Sequence, residues 1–76
     1  LGMGLCVGLG TKLGRPDRAA IVIQGDGGFL YTSQEWNTAV RWGIPLLSIV
    51  LNNNCHGAET AQQQRLFHER YIGVDL

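Results

Sequence analysis

The sequence predicts an α/β fold built on a parallel sheet with a βαβ crossover, and three features carry that prediction. Two short apolar runs, AAIVIQ at 19–24 and LLSIVL at 46–51, read as strands buried on both faces. A stretch of helical periodicity lies between them, and this alternation is what parallel sheets require. Each run is followed directly by a polar or glycine-rich loop, so both loops leave from the carboxyl edge, where open α/β sheets bind ligands.

The elements follow in order. Residues 2–13 place Leu5, Leu9 and Leu13 at i, i+4 and i+8, the spacing of one helix face. Gly4 and Gly8 lie on the adjoining stripe. Each glycine costs a helix about 1 kcal/mol, which predicts a backbone packed close against it. Gly14 reads as the residue just past this helix and Pro16 as the stop. Beyond the first strand and its glycine cluster, Thr32 and Glu35 match a capping box, and Trp36, Ala39, Val40 and Gly43 follow at i, i+3, i+4 and i+7. This second helix is expected to end at Gly43, ahead of Pro45. The second strand and the loop NNNCHG come next, then a polar helix over 58–70 with Leu66 and Phe67 as its apolar contacts. No internal repeat is visible.

Composition narrows the function. With 45% hydrophobic and 16% charged residues the chain is globular in character, which excludes disordered and collagen-like classes. Six basic residues balance six acidic ones, leaving no basic footprint for nucleic acid or an anionic membrane. Cys6 and Cys55 stand far apart in no C-x-x-C pattern, so reduced thiols in a cytoplasmic protein are expected. The apolar start LGMGLCVGLGTKLG breaks at Lys12, well short of the ~20 residues of a membrane span. It also has no initiator Met and no basic n-region. Residues 1–76 are therefore read as a fragment of one domain of a longer protein.

The two loops carry the chemistry. Asp26 stands at the end of the first strand, and the loop after the second strand offers Asn52, Asn53 and Asn54. A carboxylate, amide oxygens and backbone carbonyls suit a hard cation such as Mg²⁺ or Ca²⁺, whereas soft metals would call for thiolate or imidazole. Gly25, Gly27 and Gly28 let backbone N–H groups come close to an anion. Neither loop contains Lys or Arg, so a bound phosphate would need a metal to neutralise it. The phosphate signatures G-x-x-x-x-G-K-[ST] and G-x-G-x-x-G after a strand are absent, and so is a serine elbow. Trp36 and Trp42 read as core and subunit-interface aromatics, and Gln62, Gln63 and Gln64, with Arg65, His68, Glu69 and Arg70, as a solvated helix face.

The motif GDG at 25–27, twenty-four intervening residues, then NN at 52 and 53, resembles the thiamine diphosphate signature of the acetolactate synthase, pyruvate oxidase and benzoylformate decarboxylase superfamily. The likeness spans nearly the whole chain. It implies a three-layer cofactor-binding domain in which Asp26 and Asn53 give side-chain oxygens to Mg²⁺ and Cys55 gives its backbone carbonyl. It further implies that Gly27, Gly28, His56, Gly57 and Ala58 line the diphosphate, with Gly25 also among the cofactor-binding residues. Leu1, with Met3 as the other candidate, would be the apolar wedge beneath the cofactor. Two positions depart from the pattern, Gly28 where relatives carry Ser or Ala and Asn54 where they often carry Gly.

The reaction implied is cleavage or formation of a C–C bond beside a carbonyl, on a small-molecule 2-oxo acid. The cofactor supplies the chemistry, and no residue of this chain is assigned as catalytic. The activating glutamate is implied to come from another domain across a subunit interface, in a homodimer or homotetramer. Two alternatives stand beside this reading. One is a sulfoacetaldehyde-type acetyltransferase, to which the stretch from NNNCHGAE onward is similar; the other is a non-catalytic descendant that keeps the fold.

Overall fold

The computed structural model describes residues 1–76. Six elements follow one another: α1 (Gly4–Gly14), β1 (Ile21–Gly25), α2 (Asp26–Thr32), α3 (Glu35–Arg41), β2 (Leu47–Leu51) and α4 (Gly57–Leu66). The two strands pair in parallel, with Ile21 opposite Leu47 and Gly25 opposite Leu51. The expected βαβ unit is present, and its register puts the two loops side by side.

Leu5 and Leu9 of α1 are buried with Ala39 and Ile44, and Trp36 and Leu46 pack against this cluster. Leu13, the third residue of the predicted stripe, is exposed, since eight residues along a helix of 3.6 residues per turn rotate it about 80° from Leu5. The two helix glycines do have close neighbours from β1, but these are side chains and not the backbone expected. A Cβ on Gly8 would sit 2.2 Å from Val22 Cγ2, and one on Gly4 would sit 2.7 Å from Gln24 Oε1. Gln24 Nε2 donates to Ser48 Oγ at 3.3 Å, while its Oε1 is buried without a partner.

The helical boundaries differ from the expectation in three places. Gly14 is the last residue of α1 instead of the one beyond it, and Arg15 caps the end through its N–H to Thr11 O. The capping box does not form. Helix α2 begins at Asp26, directly after β1, so Thr32 is already its final residue and its hydroxyl donates to Gly2 O at 2.9 Å. Glu35 instead accepts from Thr38 Oγ1. Between α2 and α3, Trp36 N–H reaches Ser33 O and Asn37 N–H reaches Gln34 O, a tightened i to i+3 joint that bends one helical path into two. The stop at Gly43 is as expected: with φ +60 there, Gly43 N–H bonds Val40 O and Ile44 N–H bonds Ala39 O, the paired bonds of a Schellman ending. The polar helix stops at Leu66, short of 70, because His68 and Glu69 take up left-handed backbone.

Burial departs more broadly. Helices cover the face of the sheet that carries Val22, and no element covers the other, where Ile21, Ile23, Leu47 and Leu51 are each more than half exposed. The molecule measures 50 × 19 × 15 Å, with a radius of gyration of 15.3 Å. A compact chain of this length would have a radius of about 11 Å. The strands expected to be covered on both sides are thus covered on one.

Candidate functional site

Parallel pairing of Gly25 with Leu51 brings Asp26 and the asparagine loop to the same edge. Asp26 then organises that loop. Its Oδ1 accepts Gly27 N–H at 2.9 Å, and its Oδ2 accepts Asn53 N–H at 3.1 Å and Asn54 N–H at 2.7 Å. Desolvation pushes the carboxyl pKa up, but the N–H donors of Gly27, Asn54 and Asn53 outweigh it and hold the group below the usual aspartate value. The side chain is therefore a carboxylate fixed in one orientation.

The Asn53 amide and the Cys55 carbonyl converge beside it. One end of the Asn53 amide lies 3.1 Å from Asp26 Oδ1 and 2.9 Å from the Cys55 carbonyl oxygen. With Nδ2 at that end, the amide donates to both. With Oδ1 there, three oxygens face one another, and Cys55 N–H donates to Asn53 Oδ1 at 3.4 Å. The donor set is one carboxylate, one amide and one carbonyl. Nowhere do three His, Cys, Asp or Glu side chains gather as a zinc-type site would need.

Glycines make the neighbouring contacts possible. A Cβ on Gly27 would sit 2.6 Å from His56 Nδ1, so only glycine lets the imidazole lie against the start of α2. The ring also meets Tyr31 edge-on at 6.3 Å. At Gly28 the nearest atom to such a Cβ would be Leu1 Cδ1 at 3.7 Å, an ordinary contact, which fits the Ser or Ala expected of relatives. Asn54 has φ +59, a left-handed geometry that Gly and Asn adopt most readily, and this accounts for the second departure.

Asp26, Asn53, Cys55, His56 and the two glycines open onto one cleft of about 510 Å³. Every predicted site residue lines it: Leu1, Gly25, Asp26, Gly27, Gly28, Asn53, Cys55, His56, Gly57 and Ala58. Met3, the other candidate for the apolar wedge, does not. Two lining residues were missed, Leu51 and Glu59, while Asn52, offered as an oxygen donor but given no role, lines the cleft and Asn54 does not. Glu59 could have been found from its place in the first turn of a helix that begins at the loop. That first turn matters in itself: the first bond of α4 runs from Thr60 N–H to His56 O, so the N–H groups of Gly57, Ala58 and Glu59 have no helical acceptor. The lining holds two carboxylates and no Lys or Arg.

The profile of the thiamine pyrophosphate enzyme C-terminal TPP binding domain matches residues 1–76. The chain belongs to this family. As a thiamine diphosphate-binding domain it is 37% identical over its full length to acetolactate synthase isozyme 2 large subunit of Escherichia coli, covering 14% of that protein. It is 50% identical over 75% of its length to a probable 2-ketoarginine decarboxylase of Pseudomonas aeruginosa, covering 10% of it. A sulfoacetaldehyde acetyltransferase of Alcaligenes xylosoxydans is 37% identical over 90% of the chain and 11% of that relative. Among solved structures, the thiamine diphosphate-dependent 4-hydroxybenzoylformate decarboxylase of Rhodococcus jostii superposes on 99% of the chain and 14% of its own, with TM-score 0.87 and 35% identity. The chain thus spans about one eighth of the length of its curated relatives. No helix of this TPP-binding domain is long and apolar enough to cross a membrane.

Proposed function

We propose that the cleft holds the diphosphate of thiamine diphosphate through Mg²⁺, in an enzyme that breaks or makes a C–C bond beside the carbonyl of a 2-oxo acid. The observation that carries the metal is the cluster of Asp26 Oδ1, Asn53 and the Cys55 carbonyl, with oxygen separations of 2.9 and 3.1 Å in the oxygen-inward orientation. Adjacent ligands of an octahedral Mg²⁺, each 2.0–2.1 Å from the ion, lie about 2.9 Å apart. The rotated amide, donating to both neighbours, is the arrangement suited to a loop without an ion.

A diphosphate brings several negative charges to a lining that has no Lys or Arg and two carboxylates. The ion would neutralise part of that charge, and the free N–H groups of Gly57 and Ala58 at the N-terminus of α4 would take further phosphate oxygens. Gly27 and Gly28 would leave room for the cofactor beside the backbone, and Leu1, 80% exposed at the rim, would support its organic part. When bound, thiamine diphosphate supplies the electron sink for the bond beside the carbonyl. The residues of this chain anchor and orient it. Two relatives are named for decarboxylation of a 2-oxo acid, which supports that substrate class. The relative named as an acetyltransferase makes acetyl transfer the second reading. In either case the cleft would be completed by another domain or subunit of a homo-oligomer.

Calorimetric titration of thiamine diphosphate into the full-length apo protein, with Mg²⁺ and then with EDTA, tests the metal. Binding should require the ion and should be lost in Asp26→Ala and Asn53→Ala, whereas Cys55→Ser, which keeps the carbonyl, should bind within about tenfold of the parent. Tight binding in EDTA, or by Asp26→Ala, would overturn the reading. Release of CO₂ from a panel of 2-oxo acids tests the substrate class.

A further inference from the structure

The direction of the Cys55 carbonyl is set from outside its own loop. A trans peptide is planar, with its C=O and N–H pointing opposite ways, and the Cys55 C=O shares its peptide with the His56 N–H. That N–H donates to Val74 O at 2.7 Å. The Cys55 oxygen is therefore turned away from the C-terminal tail and toward Asp26 and Asn53. The preceding peptide is held from the same side, since Leu76 N–H donates to Asn54 O at 3.1 Å. The two bonds form an antiparallel bridge between Cys55 and Asp75.

The tail is itself anchored. Val74 is one of the eight buried residues of the chain, and Gly73, with φ +65, bends the backbone into the bridge. One side chain of α4 meets both backbone groups of Ile72: Gln63 Nε2 donates to Ile72 O at 3.1 Å, and Gln63 Oε1 accepts Ile72 N–H at 2.8 Å.

We infer that residues 74–76 are a positioning strand for the cation site, and that they aim the Cys55 carbonyl as a ligand. The inference rests on the metal reading above. A carbonyl ligand comes free with any residue, so specificity at that position lies in the backbone that orients it. Mg²⁺ demands near-ideal octahedral geometry at 2.0–2.1 Å, while Ca²⁺ accepts flexible geometry at 2.3–2.6 Å. A loosened carbonyl should therefore harm Mg²⁺ more than Ca²⁺.

Two substitutions at one position separate the N–H from the side chain. His56→Ala and His56→Pro both lose the imidazole, but only proline loses the N–H. Residue 56 has φ −77, which proline adopts, and residue 55 lies in the bridge, an extended geometry that suits a residue before proline. Thiamine diphosphate is titrated into each full-length variant with Mg²⁺ or with Ca²⁺ as the ion. His56→Ala should keep the ratio of Mg²⁺-supported to Ca²⁺-supported affinity within about threefold of the parent, and His56→Pro should lower it about tenfold. Gln63→Leu, which releases the tail without touching the cleft, should shift the ratio in the same direction and guards against a proline variant that fails to fold. A ratio unchanged in Gln63→Leu and in any folded proline variant overturns the positioning role alone. Cofactor binding by the parent that is indifferent to EDTA overturns the metal reading and this inference together.

Discussion

Asp26 Oδ2 accepts the Asn54 N–H at 2.7 Å, joining the residue that opens α2 to a residue with left-handed backbone 28 positions later. This bond, with those to Gly27 and Asn53, makes the loop after β2 depend on a charge at the end of β1. Protonating or neutralising Asp26 should loosen that loop. The folded-state pKa is depressed, so the contribution is fully present above the unfolded value near 4 and is lost as pH falls through the lower folded value. Asp26→Asn should be less stable than the parent at neutral pH, and the gap should close as the pH drops below about 4. Thermal unfolding across that range checks it, and a gap independent of pH would remove the charge from this account.

The left-handed geometry at Asn54 sets a second expectation. Asn54→Gly should be close to neutral, whereas Asn54→Val should lose about 1–2 kcal/mol because a β-branched residue is strained at positive φ. Denaturant unfolding of the two variants in the full-length protein distinguishes them.

Neighbouring glycines in α2 should behave differently. Gly27→Ala drives a methyl to 2.6 Å from His56 Nδ1 and should cost about 1–3 kcal/mol. Gly28→Ala makes only ordinary contacts, with Leu1 at 3.7 Å and Gly2 N at 3.9 Å, and should change stability by less than about 0.5 kcal/mol. Equal melting temperatures for the pair would contradict the packing described.

A parallel contrast lies within α1. Gly8→Ala would place a methyl 2.2 Å from Val22 Cγ2 and should lower the melting temperature, since overpacking of about 1–3 kcal/mol outweighs the gain in helix propensity. Gly10→Ala meets nothing within 4 Å and should raise stability by about 1 kcal/mol. A gain at both positions would mean that α1 does not need to approach β1 so closely.

Much of the site was legible before the fold was known. A carboxylate among glycines and a run of asparagines each sit directly behind an apolar strand, and parallel pairing of those strands leaves them nowhere to be but together. The glycines of α1 were legible too, because their cost announces a close neighbour, although only the fold shows that Gly8 meets Val22. Other features were hidden for physical reasons. Thr32 and Glu35 have the residues of a capping box, yet α2 had already begun at Asp26, and a local motif cannot report where the helix before it started. The bridge from Val74 and Leu76 to the asparagine loop uses backbone groups that nearly every residue carries, so no residue type marks it. The exposure of Ile23 and Leu51 was equally invisible, since apolarity shows what can be buried and not what covers it.

The pairing of Gly25 with Leu51 gives the distance between the two loop motifs a different meaning. Twenty-four residues separate GDG from the asparagines, but the site is sensitive to only a few of them. The helical detour from α2 through α3 is contour length, and a residue added in the turn at 42–46 would change the route without changing where β2 begins its pairing. One residue added inside β2 would instead move the asparagine loop by about 3.3 Å and turn every later side chain to the opposite face. Insertions between the motifs should therefore accumulate in that turn and be excluded from the strands, and a search pattern with a flexible gap would find distant relatives that a rigid spacing misses.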